Sequence, residues 1–239
     1  MKNANSGASP RFSAAGAGLG MRQGPKAEGR MRKHWAILLL VGVVAAATIW
    51  SGIEPVDYGT WVFELSVGMA GVVILLATYR RFRFSNLVYV LVAIHYVVLA
   101  IGAKYTYAEM PLFNWLKDAL SLSRNHFDRV GHFFQGFVPA IIVRELLLRT
   151  TPLRPGKWVS VLPIAVCLAI SAFYELLEWW MVVVFYPASG PEWLGMQGDV
   201  WDAQGDMLAA LVGATTAIVF LTRLHDRSID AVARGGAEV

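Results

Sequence analysis

GDVWDAQGDMLAALVGATTAIVFLTRLHDR, residues 198–227, sets an apolar run between two charged flanks. Asp199, Asp202 and Asp206 precede the run; Arg223, His225 and Arg227 follow it. The apolar block Ala203–Thr222 has the length of a helix that crosses a bilayer core, which takes roughly 20 residues. It reads as a transmembrane helix with acids at one mouth and bases at the other.

Five more blocks of this kind precede it: Trp35–Trp50, Trp61–Tyr79, Asn86–Ala103, His132–Leu148 and Trp158–Phe185. The 239 residues are 56% hydrophobic and only 16% charged, a composition that belongs to a membrane protein. Backbone groups in lipid must be satisfied within each segment, so blocks of this length are helices. The predicted fold is all-α, a polytopic membrane helix bundle of about six transmembrane helices. Trp and Tyr at several block ends fit interfacial anchors. Residues 1–33, rich in Gly, Ala, Ser and Arg, are expected to be a disordered basic tail. Residues 34–224 are the six-helix domain, and 225–239 a short cytoplasmic tail. From Met31 the sequence also fits a signal peptide, with Met21 and Met31 as alternative starts; five following spans favour an uncleaved first helix.

Charge gives the orientation. If six helices alternate, one side receives 17 of the 21 Lys and Arg, and the other only Lys104, Lys117, Arg124 and Arg129. The positive-inside rule makes the first side cytoplasmic and puts both termini there. The outer side collects 12 of the 17 acids. Its segment MPLFNWLKDALSLS, residues 110–123, repeats Leu112, Trp115, Leu116, Ala119 and Leu120 at helical spacing. It is too short to span, so a helix lying on the outer surface is expected.

The formal charge of +4 lies between apolar blocks, where it sets topology; no nucleic-acid partner is expected. Cys167 is the single cysteine and has no intrachain partner. There is no phosphate-binding glycine loop, zinc-type Cys/His pairing or nucleophile elbow, which gives the common soluble-enzyme chemistries little support.

Three polar stripes converge on the outer half. In SRNHFDRVGHFFQGF, residues 123–137, Asp128, His132 and Gln135 share one helix face, with Asn125 and His126 just before it. In SAFYELLEWW, residues 171–180, Glu175 and Glu178 share a face with Ser171. Asp199, Asp202 and Asp206 fall at spacings of three and four, also one helical line, and they lack the alternating ligand pattern of a calcium loop. Intramembrane carboxylates at similar depth are costly unless paired, protonated or bound to a cation. A divalent metal ion held by Asp128, His132, Asp202 and Asp206 is one expectation, with Glu175 and Glu178 as catalytic acid–base groups. Asn125, His126, Arg129, Gln135 and Trp201 are the candidate substrate-binding residues. Asp199 equally suits a helix cap, and ion pairs of Arg129 with Glu175 or Arg124 with Asp128 would serve structure alone. His95 reads as a packing residue and His225 as a solvated one. Gly205, Ala209 and Gly213, four apart, allow close helix approach.

The segments WLKDALSLSRNHFDRVGHFFQGFVPA, FYELLEWW, QGDVWDAQGDMLAALVGA and RLHDR together resemble the YjdF-like family of bacterial inner-membrane proteins. The resemblance spans residues 35–229 and implies a bacterial inner-membrane location and a helical membrane fold, without an established activity. A weaker similarity is to VanZ-like membrane proteins, linked to resistance to some glycopeptide antibiotics, which share an Asp/His, then Glu, then Asp order on successive helices. Those chains are shorter and lack the QGDVWDAQGD segment.

Three functions stay open: a metal-dependent enzyme acting at the outer leaflet on membrane lipid or a lipid-linked envelope substrate, a cation- or proton-coupled transporter, and a non-catalytic membrane scaffold. Scarcity of ionisable groups in the inner halves of the helices and the lack of an inverted repeat weigh against transport.

Overall fold

A computed structural model describes residues 25–185 and 194–237, with side chains for 34–185 and 194–234. The described residues form seven α-helices: α1 (Pro25–Gly52), α2 (Tyr58–Thr78), α3 (Asn86–Lys104), α4 (Pro111–Ala119), α5 (Phe127–Thr150), α6 (Lys157–Phe185) and α7 (Asp202–Ala237). A 3-10 turn at Met196–Gly198 precedes α7. All but α4 are long and apolar enough to cross a membrane, which gives six spans. Helix α4 is the short outer helix of the sequence reading; it opens on Pro111 and exposes Leu112 and Trp115.

Two helices outrun their sequence bounds. Helix α1 begins at Pro25, inside the segment expected to be a tail, whose residues 1–24 lie outside the described ones. Helix α7 passes residue 224 without a break and continues to Ala237, so the expected C-terminal tail is largely a helical extension. At 1.5 Å per residue its 36 residues measure about 54 Å, well beyond a 30 Å hydrocarbon core.

The interior is built from branched aliphatic side chains and alanines, with a few aromatics. Leu40 of α1, Val72 of α2, Tyr89 and Tyr96 of α3, Ile141 of α5 and Ala214 of α7 are buried in one cluster, while Leu38, Ile74, Val219 and Phe220 point outward. Lipid supplies no hydrophobic drive between helices, so association rests on close packing. The tightest packing joins α5 to α7. A Cβ on Gly136 would collide with the Ala210 carbonyl, and one on Gly213 with the Phe133 carbonyl. These two helices therefore meet backbone to backbone, as the small-residue spacing on α7 allows.

The end of the bundle away from α4 is locked by a buried polar network. Glu145 Oε1 accepts from Ser85 N at 2.7 Å and from Arg149 Nη1 at 2.6 Å. Arg144 donates to Asp226 Oδ1 at 2.7 Å and lies 2.9 Å from His225 Nδ1. A guanidinium can only donate, so Nδ1 of His225 is the acceptor and its ring proton sits on Nε2. That proton is donated to Glu145 Oε2 at 3.0 Å. His225, read from the sequence as solvated, is fully buried here, and its two ring nitrogens are satisfied by Arg144 and Glu145 of α5. Removing one member of a buried charged network strands the others, at a cost of about 3–5 kcal/mol. Glu145→Ala is expected to lower the unfolding midpoint in detergent markedly, whereas Glu54→Ala, on a loop, leaves it unchanged; thermal melts read by circular dichroism check this.

Candidate functional site

The α4 end carries the second polar cluster. Its frame is Asn125, which is buried and uses every side-chain polar atom internally. Asn125 Oδ1 accepts from Phe127 N at 3.0 Å, which caps the start of α5, and Nδ2 donates to Met110 O and to Asn114 Oδ1 at 3.0 and 2.8 Å. Its backbone forms a reciprocal pair with the Gln197 amide, at 2.8 and 3.0 Å. Gln197 adopts φ 57° and Gly198 φ 83°, left-handed conformations that turn the strap 196–201 back over the start of α5.

Two guanidiniums join α5 to the aspartates before and on α7. Arg124 Nη1 donates to Asp202 Oδ1 at 2.5 Å and Asp199 Oδ2 at 3.0 Å. Arg129 donates to Asp206 Oδ1, to Asp199 Oδ2 at 3.1 Å and to the Asp202 carbonyl at 3.1 Å, and its Nη2 lies 2.9 Å from Asp202 Oδ1. Asp202 Oδ2 accepts from Met196 N at 3.0 Å. Asp199 is thus both a cap, accepting from Trp201 N at 3.0 Å, and an ion-pair partner. Asp202 belongs to this guanidinium lattice and is not part of the metal-type group formed deeper in the bundle.

That group is Asp128, His132 and Asp206, whose ligand atoms all lie within 4.8 Å of one another. His132 Nδ1 sits 2.8 Å from Gln135 Oε1, an acceptor, so Nδ1 carries the proton. Nε2 faces Asp206 Oδ1 at 3.5 Å and Asp128 Oδ1 at 3.6 Å. Gln135, expected to bind substrate, orients His132 here, as outer partners of metal-binding histidines do. Glu175 comes within 4.0 Å of His132 Nδ1, and its Oε1 is buried with no hydrogen-bond partner. Glu178 interacts electrostatically with Asp128, Asp206 and Asp202. Tyr174 sets its ring edge against His132 at 6.2 Å.

Other expected residues sit at the margin. Trp201 is 69% exposed, immediately before α7. His126 immediately precedes α5; partial burial, then the Arg124 and Arg129 charges, push its pKa down, which keeps it neutral. The expected Arg129–Glu175 pair is absent among the described ion pairs, because Arg129 is taken by aspartates. Arg124 and Asp128 do approach, at 3.6 Å.

Sequence reasoning missed Glu64 and Tyr107. Glu64 of α2 lies within electrostatic reach of Asp128 and His132. A lone carboxyl in an apolar span was the signal that could have found it. Tyr107 has no such signal: its ring wedges between Gly102 and Gly131, and burial, then the nearby Glu64 carboxyl, hold its phenol protonated well above the ordinary range.

The fold and the site can now be set beside known proteins. A family model described as "Predicted membrane protein (DUF2238)" matches residues 36–227. The chain belongs to this DUF2238 family. It is 44% identical over 181 residues to the inner membrane protein YjdF of Escherichia coli (strain K12), covering 76% of this chain and 86% of that one. No solved structure matches. The relationship and the six spans make it a multi-pass inner-membrane protein.

In this DUF2238 protein the strap titrates through Asp199, which lies outside the spans. Its pKa falls below the usual 3.8, first through the Trp201 N–H bond and then through Arg124. A carboxyl with a depressed folded pKa stabilises above its unfolded value, and that contribution is lost as pH falls through the folded one. Hydrogen exchange of the Trp201 amide is therefore expected to stay protected, once corrected for intrinsic exchange, as pH falls to the ordinary carboxylate value of 3.8, and to lose protection only below it.

Proposed function

We propose that the α4 end faces the outside of the inner membrane, with both termini cytoplasmic, and that its cluster holds a divalent metal ion for an enzymatic reaction on a lipid or lipid-linked substrate. The observation that carries this reading is the geometry at His132 Nε2. Ligand bonds of about 2.0–2.2 Å in a tetrahedral site separate neighbouring donor atoms by about 3.3–3.6 Å. The 3.5 and 3.6 Å separations from Nε2 to the two carboxylate oxygens fit that edge length and are too long for good hydrogen bonds. Charge points the same way: Arg124 and Arg129 pair with Asp128, Asp199, Asp202 and Asp206, and Glu175, Glu178 and Glu64 add carboxyls with no arginine among the described ion pairs, an excess that protons or a cation must offset.

Such a metal polarises a phosphoryl or acyl oxygen and lowers the pKa of water. The chain's own groups supply the rest. Gln135 holds the His132 tautomer, and Arg129 fixes Asp206 against α5. Glu175, with its unpartnered oxygen 4.0 Å from His132, takes a proton from water or from a substrate hydroxyl. Exposed Val200 and Trp201 at the end of the strap offer an apolar surface to a lipid. Purified wild-type protein is expected to carry about one divalent ion per chain by elemental analysis, and His132→Ala and Asp206→Ala to lose it. Equal metal in wild type and both variants, or none in wild type, would sink the reading.

A cation or proton pathway is the second reading, and one observation favours it. The buried Glu145–His225–Arg144 network puts ionisable groups at the opposite end of the same α5–α7 pair, where the sequence had suggested they were scarce. Between the two clusters the Gly136 and Gly213 contacts close the α5–α7 seam to water, which favours the enzyme. Proteoliposomes are expected to show no ion flux that depends on Glu178; flux lost in Glu178→Gln would reverse the order of the two readings.

A further inference from the structure

Helix α4 turns its apolar face away from the bundle and its hydrogen-bonding residues inward. Leu112, Trp115 and Ala119, three and four residues apart, share one side of the helix, and all three are exposed. Phe113, Asn114 and Lys117 make up the opposite side and are half-buried. Phe113 sets its ring edge-on to Phe127 at 5.4 Å, and Asn114 Oδ1 accepts from Asn125. Trp115 is 63% exposed, and no residue of α4 is buried. A helix on a water-washed surface has the reverse arrangement, with the apolar stripe against the core and the polar face outward.

The turn after α3 sets the level of this helix. Thr106 and Tyr107 are left-handed, at φ 50° and 55°, and the chain doubles back so that the Tyr107 ring lies against Gly102 near the end of α3 and Gly131 in the second turn of α5. With Phe113 against Phe127, the first residue of α5, α4 lies beside the end of a span. Asn125 brings the strap to the same level, because its side chain donates to Met110 O and Asn114 Oδ1 while its backbone pairs with the Gln197 amide. The strap ends in exposed Val200 and Trp201, and the link from α4 to α5 exposes Leu120 and Leu122. Ser123, the residue after Leu122, lines one cavity with Val200, so link and strap are neighbours.

We propose that Leu112, Trp115, Leu120 and Leu122, together with Val200 and Trp201, form one membrane-docking surface sunk into the leaflet at the α4 end of the bundle. Its occupant is lipid, at the boundary of headgroups and acyl chains, where an apolar helix face rich in Leu and Trp partitions. Spacing within residues 110–123 gives only a surface helix; its level beside α5, its outward apolar face and the strap as a second inserted segment come from the structure. The surface is independent of any metal at His132 and of the side of the membrane that α4 faces.

The test uses the full chain in nanodiscs of phosphatidylethanolamine and phosphatidylglycerol. Cys167 is the single cysteine and is buried, so a nitroxide can be attached to one introduced thiol at a time. Electron paramagnetic resonance compares collisions with oxygen, which concentrates among acyl chains, and with a water-soluble nickel chelate at Trp115→Cys, Val200→Cys and Val67→Cys, the last an exposed position midway along α2. Labels at Trp115→Cys and Val200→Cys are expected to favour oxygen, as Val67→Cys does, at a depth of about 5–10 Å, that of an interfacial helix. Labels that meet the nickel chelate freely place the surface in water, and labels shielded from both probes place it under a protein; either result overturns the proposal. A deep label at Trp115→Cys beside a water-exposed one at Val200→Cys overturns the single surface. If a substituted chain fails to fold, the wild-type chain in the same nanodiscs is photolabelled with a lipophilic diazirine and mapped by mass spectrometry. Adducts are expected on peptides carrying Trp115 and Trp201, and their absence from either peptide overturns the proposal.

Discussion

Everything at the α4 end depends on two guanidiniums placed between two helices that each bring carboxylates. Without Arg124 and Arg129, Asp199, Asp202 and Asp206 would meet Asp128 as like charges in a medium that screens poorly. With them, the strap and the first turn of α7 are held against α5, and the repulsion is displaced inward, onto Asp128, Glu64, Glu175 and Glu178. The site's chemistry is the remainder of that neutralisation. Glu64, Glu175 and Glu178 have no arginine partner among the described ion pairs, and Asp128 is approached by Arg124 and Arg129 only at 3.6 and 3.7 Å.

The sequence disclosed this in outline because membrane helices leave a strong mark. Apolar length gave six spans, and helical spacing put Asp128 with His132, Glu175 with Glu178, and Asp202 with Asp206 on common faces. What spacing could not show was how partners are shared between helices. Asp202 and Asp206 look alike along α7, yet one is used by Arg124 and the strap and the other approaches His132. That choice depends on the rotation of α7 against α5, which Gly136 and Gly213 set.

The misreadings have the same origin. His225 looked solvated because it follows the apolar run, but α7 stays helical past that run and sets it against Arg144 and Glu145. Glu64 stood alone on α2, and no periodicity connects it to residues on α5. Gln135 was read as a substrate-binding candidate because it shares a face with Asp128 and His132, and spacing gave no sign of its 2.8 Å contact to His132.

The backbone contact between α5 and α7 limits how this molecule can work. The helices bearing His132 and Asp206 touch through Gly136 and Gly213, where no side chain can yield, and they are tied again at the end of the bundle away from α4 by Arg144, Glu145 and His225. They behave as one beam clamped at both ends. Any opening of the site must come from parts outside that beam: the strap, α4, or the α2 and α6 walls that carry Glu64 and Glu175. A crosslink between α5 and α7 would leave a working molecule, while one between α6 and that pair would reach the moving part.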